Sequence, residues 1–335
     1  MPVRFEQLCG SADNALAPHY SAFRVAQRLL LTGHSHQAWP DGAREGLLRA
    51  FTDAAQHVDR KWERAVAAGE RVKRGYARLL DDDSGHYTLA SSTHDLVVRL
   101  LSALPLARRP RVVTTDAEFH SVRRQLQRLQ EEGLEVVRVP ARPLDAVPGR
   151  LAAAVDDRTC AAMVSSVFYD SALMVRGLGE VLRACERRGA ILVVDAYHSL
   201  NVAPLSLPRE GLQGAYVVGG GYKYCQLGEG NAVLRIPADC ALRPVITGWF
   251  STFGALQERA RPGEVPYGAG GDRFAGSTYD PASHYRGASV FDFFDEQGLS
   301  VDLLRRVSQH QVGLLAREFD ALDLDPAVVD RPRDV

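Results

Sequence analysis

Residues 191–234 read ILVVDAYHSLNVAPLSLPREGLQGAYVVGGGYKYCQLGEGNAVL. The apolar run Ile191 to Val194 ends at Asp195, with His198 three residues on. A second run, Tyr216 to Val218, breaks into Gly219-Gly220-Gly221, followed by Tyr222, Lys223 and Tyr224. Gly228 and Gly230 flank Glu229 before a third run, Ala232 to Leu234. Short buried strands that end in charged residues and glycine turns describe the C-terminal edge of a parallel sheet, where open α/β folds bind ligands. The reading is that one crevice receives a carboxylate and an amine, each from a strand end. The alternative is a buried acid and a surface lysine that never meet.

A carboxylate and a lysine so delivered suit pyridoxal phosphate (PLP). Lys223 would form the Schiff base, and Asp195 would keep the pyridine nitrogen protonated so that the ring accepts electrons. These residues resemble the class V, fold-type I PLP enzymes, and among them kynureninase. That pattern is a strand, D-x-x-H, then S-Y-K-Y with a Gly-rich turn, then a G-W-F/W segment. It is matched here by Asp195 and His198, by Tyr222-Lys223-Tyr224 with Gly228-Glu229-Gly230, and by Gly248-Trp249-Phe250. The resemblance spans residues 28–330, with its most specific motifs between Asp195 and Thr278.

The chain has 335 residues, enough for two domains or one large α/β domain with an appendage. The resemblance implies an α/β fold: a PLP fold-type I large domain, its mainly parallel sheet sandwiched by helices, plus a small C-terminal domain that is cut short. The expected division is 1–40 as N-terminal segment and active-site loop, 41–298 as large domain, and 299–335 as the start of the small domain. A hydrophobic content of 46% supports a sizeable core, and a net charge of −1 argues against a broad surface for nucleic acid. The cysteines at 9, 160, 185, 225 and 240 lack C-x-x-C spacing, which argues against a zinc site or disulfide framework and for a reducing compartment. With no apolar run of membrane-spanning length and no signal-peptide pattern at the N-terminus, the expectation is a soluble cytoplasmic protein.

Outside the deciding stretch, Arg28 to Leu31 reads as a short strand. His34, Ser35 and His36 follow, where kynureninases carry an active-site loop. They either line the substrate pocket or belong to a solvated loop before the helix opened by Pro40-Asp41. Two histidines at i, i+2 without a third ligand are weak evidence for metal, and none is expected. A helix is predicted over Lys61 to Leu80 and a strand over His86 to Ala90. Ser92 and Thr93 then precede an apolar-periodic segment. A helix start is an anion site, and the resemblance places the cofactor phosphate there; an ordinary N-cap is the alternative. Strand Arg111 to Thr115 leads to Phe119 and His120, of which the resemblance makes Phe119 the residue stacked on the ring and His120 its competitor. Strands at Leu134 to Pro140 and Cys160 to Val167, with helices Arg150 to Val155 and Leu178 to Arg188, complete an alternation that implies a largely parallel sheet covered on both faces. Phe168-Tyr169-Asp170-Ser171 stands where kynureninases read N-Y-x-T/S-G, and the Asn is absent. By resemblance, Trp249 gives its indole N–H to the phosphate, and Thr278 reaches the phosphate of a neighbouring subunit, implying a homodimer with shared sites. Helices at Ser283 to Gly298 and Val301 to Leu322 follow. The arginine that grips the substrate carboxylate is expected in the small domain, beyond the given chain.

The implied activity is a hydrolase of the kynureninase type in tryptophan catabolism. It would cleave the Cβ–Cγ bond of L-kynurenine or 3-hydroxykynurenine to alanine and anthranilate or 3-hydroxyanthranilate. Lys223 would take the Cα proton, with Tyr222 holding the phosphate and passing a proton, and His198 orienting the ring through its phenolic oxygen. A class V aminotransferase or lyase acting on another small amino acid is the alternative. A cysteine desulfurase would need a nucleophilic cysteine late in the chain, and none follows Cys240.

Overall fold

The computed structural model describes residues 2–10, 14–255 and 263–325. In chain order the elements are α1 (Phe5–Cys9), α2 (Gly42–His57), α3 (Lys61–Leu79), β1 (His86–Ala90), α4 (Thr93–Ser102), β2 (Arg111–Thr115), α5 (His120–Glu131), β3 (Glu135–Val139), α6 (Val147–Ala154), β4 (Thr159–Ser165), α7 (Leu178–Arg187), β5 (Ile191–Asp195), α8 (Leu207–Glu210), β6 (Tyr216–Gly220), β7 (Ala232–Ile236), α9 (Ala282–Gln297) and α10 (Val301–Asp320).

The strands form one seven-stranded sheet in the order β1-β7-β6-β5-β4-β2-β3. The pairs β6–β5, β5–β4, β4–β2 and β2–β3 are parallel. Strand side chains alternate between faces, and here both faces are covered. Val112, Val193 and Val218 pack with Leu96 and Leu100 of α4 and Leu126 of α5. Val113, Val194 and Val217 pack with Val72 of α3, Leu151 of α6, Val181 of α7 and Phe291 of α9. This is the α/β sandwich expected from the sequence.

Three sequence expectations change. The run Ala232 to Leu234 is indeed a strand, but β7 runs antiparallel to both β1 and β6, so it starts at the edge where the others end. Residues 221–231 are too few for a helical crossover, so the chain must turn straight back. Strand β6 does not stop at Val218 but continues through Gly220. Residues 28–31 form no strand and pair with no strand of the sheet; Leu29 and Leu31 are 84% and 75% exposed.

The reversed strand is fastened by a buried ion pair. Asp82, just past α3, accepts from Arg235 of β7 at 2.8 Å, and both side chains are about 1% exposed. Helix α9 joins the same body through Phe291 against Tyr76 of α3. Helix α10 packs on α1, where Phe5 meets His310 edge-on at 5.6 Å. The last part of the segment expected to begin a small domain, residues 326–335, lies outside the described residues. No described helix is long and apolar enough to cross a membrane.

Candidate active site

The C-terminal ends of β2, β5 and β6, the start of β7 and the N-terminus of α4 converge on a cavity of about 260 Å³. Asp195 is the last residue of β5, and Lys223 follows the end of β6. Neighbouring parallel strands therefore deliver both groups to one wall, together with His198. Lys223 is 5% exposed, and its Nζ donates to His198 Nε2 at 2.5 Å. The amine lies 4.8 Å from the ring centre of Tyr197, 5.1 Å from Phe119 and 5.8 Å from Tyr222.

Burial pushes the Lys223 ammonium down to about 8, against the opposing charge of Asp195. Burial, followed by Lys223 and His34, brings His198 to about 4, so it is a neutral acceptor at pH 7. Burial also raises Asp195, opposed by the Tyr197 N–H that it accepts at 2.9 Å and by Lys223. The site thus holds an amine that is easily deprotonated next to a carboxyl sheltered from water.

The opposite wall is the start of α4. Ser92 caps the helix, its Oγ accepting from the Asp95 N–H at 3.2 Å, and Thr93 donates to the Gly219 carbonyl at 2.9 Å. Both residues also line the cavity, so capping and cavity wall are one arrangement. The first N–H groups of α4 have no acceptor within the helix and carry its positive end.

Phe119 lines the cavity, whereas His120 does not; His120 sits at 2.7 Å from Arg123 Nη2 on the surface. Tyr169 backs Phe119 edge-on at 5.4 Å and is likewise outside the cavity lining. His34 acts on His198 and His36 stacks on Tyr222 at 5.5 Å, so the histidine loop reaches the site although both side chains are exposed. Ser35 bonds within its own turn, to the Thr32 carbonyl. Trp249 and Thr278 are not among the residues of this cavity; the indole N–H of Trp249 donates to Thr278 Oγ1 at 3.0 Å.

Tyr197, Asn231 and the buried Glu118 behind Asp195 escaped sequence reasoning. For Tyr197 a signal existed in the glycine run. A Cβ at Gly220 would come within 2.4 Å of the Tyr197 ring, and one at Gly219 within 2.6 Å of Leu200. These glycines leave room for side chains of the turn after β5. Gly228, at φ 64°, plays a similar part, since a Cβ there would meet Arg286 and Trp39 at 2.7 Å.

No family model matches the chain. Among curated proteins it is 23% identical over 209 residues to the uncharacterized aminotransferase YcbU of Bacillus subtilis. That match covers 61% of this chain and 54% of the relative, so the chain spans about half the length of that protein. Among solved structures, a variant of C-DES with glycine covalently linked to its PLP cofactor superposes with a TM-score of 0.76 at 17% identity, over 91% of this chain and 80% of that one. The cystine C–S lyase C-DES in complex with cysteine persulfide gives 0.73 at 18% identity, over 87% and 78%. The cysteine desulfurase of Thermococcus onnurineus gives 0.66 at 17%, over 85% and 71%. The fold is accordingly that of fold-type I PLP enzymes.

Proposed function

We propose that this chain is a PLP-dependent enzyme of the class V aminotransferase type, acting on a small amino-acid substrate. The observation that carries the reading is the Lys223 amine, brought to about 8 by burial and held 2.5 Å from His198 in the cavity that also contains Asp195 and the start of α4. The donor set fits the group. A deprotonatable amine suits an aldehyde, a sheltered carboxyl suits a ring nitrogen, Phe119 offers an aromatic face, and the N-terminus of α4 suits a phosphate. Leu227 packs so tightly against Gly221 of the cavity wall that a Cβ there would come within 2.6 Å of it.

Bound PLP supplies an electrophilic carbon and a ring that withdraws electrons from the substrate α-carbon. Lys223 would take the α-proton of the bound amino acid; its depressed proton affinity leaves a usable fraction of free amine near neutral pH. Asp195 would keep positive charge on the ring nitrogen, and His198 orients the lysine by accepting from it. Tyr222 and Tyr197 cover the amine and exclude water. Ser92, Thr93 and the N–H groups of α4 would hold the phosphate, and Phe119 would offer its face to the ring.

At the level of the reaction we favour hydrolysis of the kynureninase type, supported by the D-x-x-H, Tyr222-Lys223-Tyr224 and Gly248-Trp249-Phe250 motifs. The structural likeness to a cystine C–S lyase favours a second reading, elimination at the β-carbon of a sulfur-containing amino acid. The protein works as a homodimer in which Thr278 serves the phosphate of the neighbouring site and Trp249, bonded to Thr278, gives its indole N–H to a phosphate. A reducing, cytoplasmic setting suits the free cysteines Cys9, Cys160, Cys185, Cys225 and Cys240.

Incubation with PLP should give a visible absorbance that borohydride discharges, leaving the reduced cofactor on the peptide containing Lys223. A colourless, unmodified protein sinks the cofactor reading. Product analysis with kynurenine and with cystine separates the two reactions: anthranilate and alanine mark the first, pyruvate and a persulfide the second.

A further inference from the structure

A second carboxyl lies behind the site, and none of the roles above uses it. Glu118 follows β2 and is 3% exposed. Its Oε1 accepts from the Thr115 hydroxyl and its Oε2 from the Ser165 hydroxyl, each at 2.6 Å. Ser165 ends β4 and pairs in register with Asp195 at the end of β5. Glu118, Ser165 and Asp195 therefore form a row across adjacent strand ends. Glu118 also immediately precedes Phe119, whose ring centre lies 5.1 Å from the Lys223 amine.

No ion pair to Glu118 is formed among the described residues. The charged group acting on it is Asp195, from β5; β2 and β4 present it with hydroxyls. A buried carboxyl with no cation, sharing its surroundings with another carboxyl, resists ionisation until the neighbour's charge is offset. Two hydroxyl bonds hold it where a plain structural acid would have a basic partner.

We propose that Glu118 is a positioning residue of this site: anchored to Thr115 and Ser165, it fixes Phe119 beside the lysine and, by gaining or losing its own proton, sets the negative field that Asp195 and Lys223 experience. The proposal rests on the PLP reading for its effect on the ring nitrogen; its effect on the lysine amine stands in the protein alone. Burial brings Glu118 to about 7, with both hydroxyls and the Ser165 backbone working against that rise and Asp195 adding to it. The group therefore changes charge in the neutral range. When ionised, it favours the protonated forms of Lys223 and of a ring nitrogen held by Asp195. When protonated, it adds no charge to that of Asp195 beside it.

The test compares the wild type with Glu118→Gln and Ser165→Ala, the second keeping the carboxyl if the first fails to fold. In the protein without cofactor, the rate of Lys223 modification by an amine-reactive reagent is followed against pH by peptide mass spectrometry. In the PLP-loaded protein, the visible band is titrated over the same range. The expected result is a component near neutral pH in the wild-type profiles. Glu118→Gln abolishes it and moves the lysine midpoint to lower pH. Ser165→Ala keeps the neutral-range component but moves that component to higher pH, because a bond to the carboxylate is lost. Lys223 profiles that superimpose in all three proteins overturn the proposal, even if PLP occupancy falls, since loss of occupancy alone is what a merely structural residue gives. A wild type that stays colourless with PLP defeats the cofactor reading instead, and the modification profiles still decide Glu118.

Discussion

Lys223 is where sequence chemistry and tertiary setting meet most directly. Lys223→Ala removes the proposed proton acceptor, and activity should fall by roughly 100- to 10 000-fold, with borohydride labelling lost. The same residue carries a stability consequence. A folded lysine at about 8 binds fewer protons than the unfolded one at its ordinary value of 10.5. Stability then rises with pH across that interval and is reduced below it. Lys223→Met removes the buried charge and should raise the unfolding temperature of the cofactor-free protein at pH 7, by more than it does at pH 10. Equal shifts at both pH values would show that the lysine is not desolvated in the folded state.

At the scale of elements, strand ends and turns are the working parts. The D-x-x-H turn after β5 inserts Tyr197 against the backbone of β6, which is why Gly220 cannot carry a side chain. Gly220→Ala should displace Tyr197 and weaken cofactor binding, and Tyr197→Ala in the same chain should restore part of that binding. Spectrophotometric titration with PLP measures both; no recovery in the double variant would place the clash elsewhere. Ser92→Ala removes the cap of α4 and should cost about 1 kcal/mol in chemical denaturation, together with weaker binding of the cofactor phosphate. The reversed strand has its own anchor. Burial works against ionisation of Asp82, yet hydrogen bonds from Arg235, Ser84 and Tyr87 bring its carboxyl down to about 2. Its stabilisation is therefore complete above the ordinary value of 3.8 and is lost as pH falls towards 2. Asp82→Ala leaves Arg235 buried without a partner and should cost roughly 3–5 kcal/mol at pH 7, read from the denaturation midpoint.

For the whole molecule, assembly is the issue. Val245, Ile246, Trp249 and Phe253 are exposed apolar side chains close together in sequence, with Trp249 and Phe253 in ring contact at 5.2 Å. A patch of this kind suits burial against another copy. If Thr278 serves the neighbouring site, chains carrying Lys223→Ala and Thr278→Ala, refolded together, should form mixed dimers with one intact site and regain activity that neither variant has alone. Mixtures no more active than the sum of the two variants would assign Thr278 to its own chain.

The sequence determined the parallel α/β sandwich, because a strand buried on both faces must be apolar throughout and a helix covering it must be amphipathic, and neither pattern needs a distant partner to be read. It also determined Asp195, His198 and Lys223 as a group, since each follows an apolar run at a strand end and strand ends of one sheet lie side by side. Phe119 and His120 could not be separated, because they are consecutive and only the path of the chain after β2 decides which ring turns inwards. The direction of β7 was legible in principle from the short link before it, while its ion pair joins residues 153 positions apart and has no local signature. Glu118 reads in sequence as an ordinary acid before a helix. Only the tertiary structure places it behind Asp195, because the register of β4 on β5 brings Ser165 between them, and among the described residues Lys223 opposes Asp195 while Glu118 has hydroxyls alone.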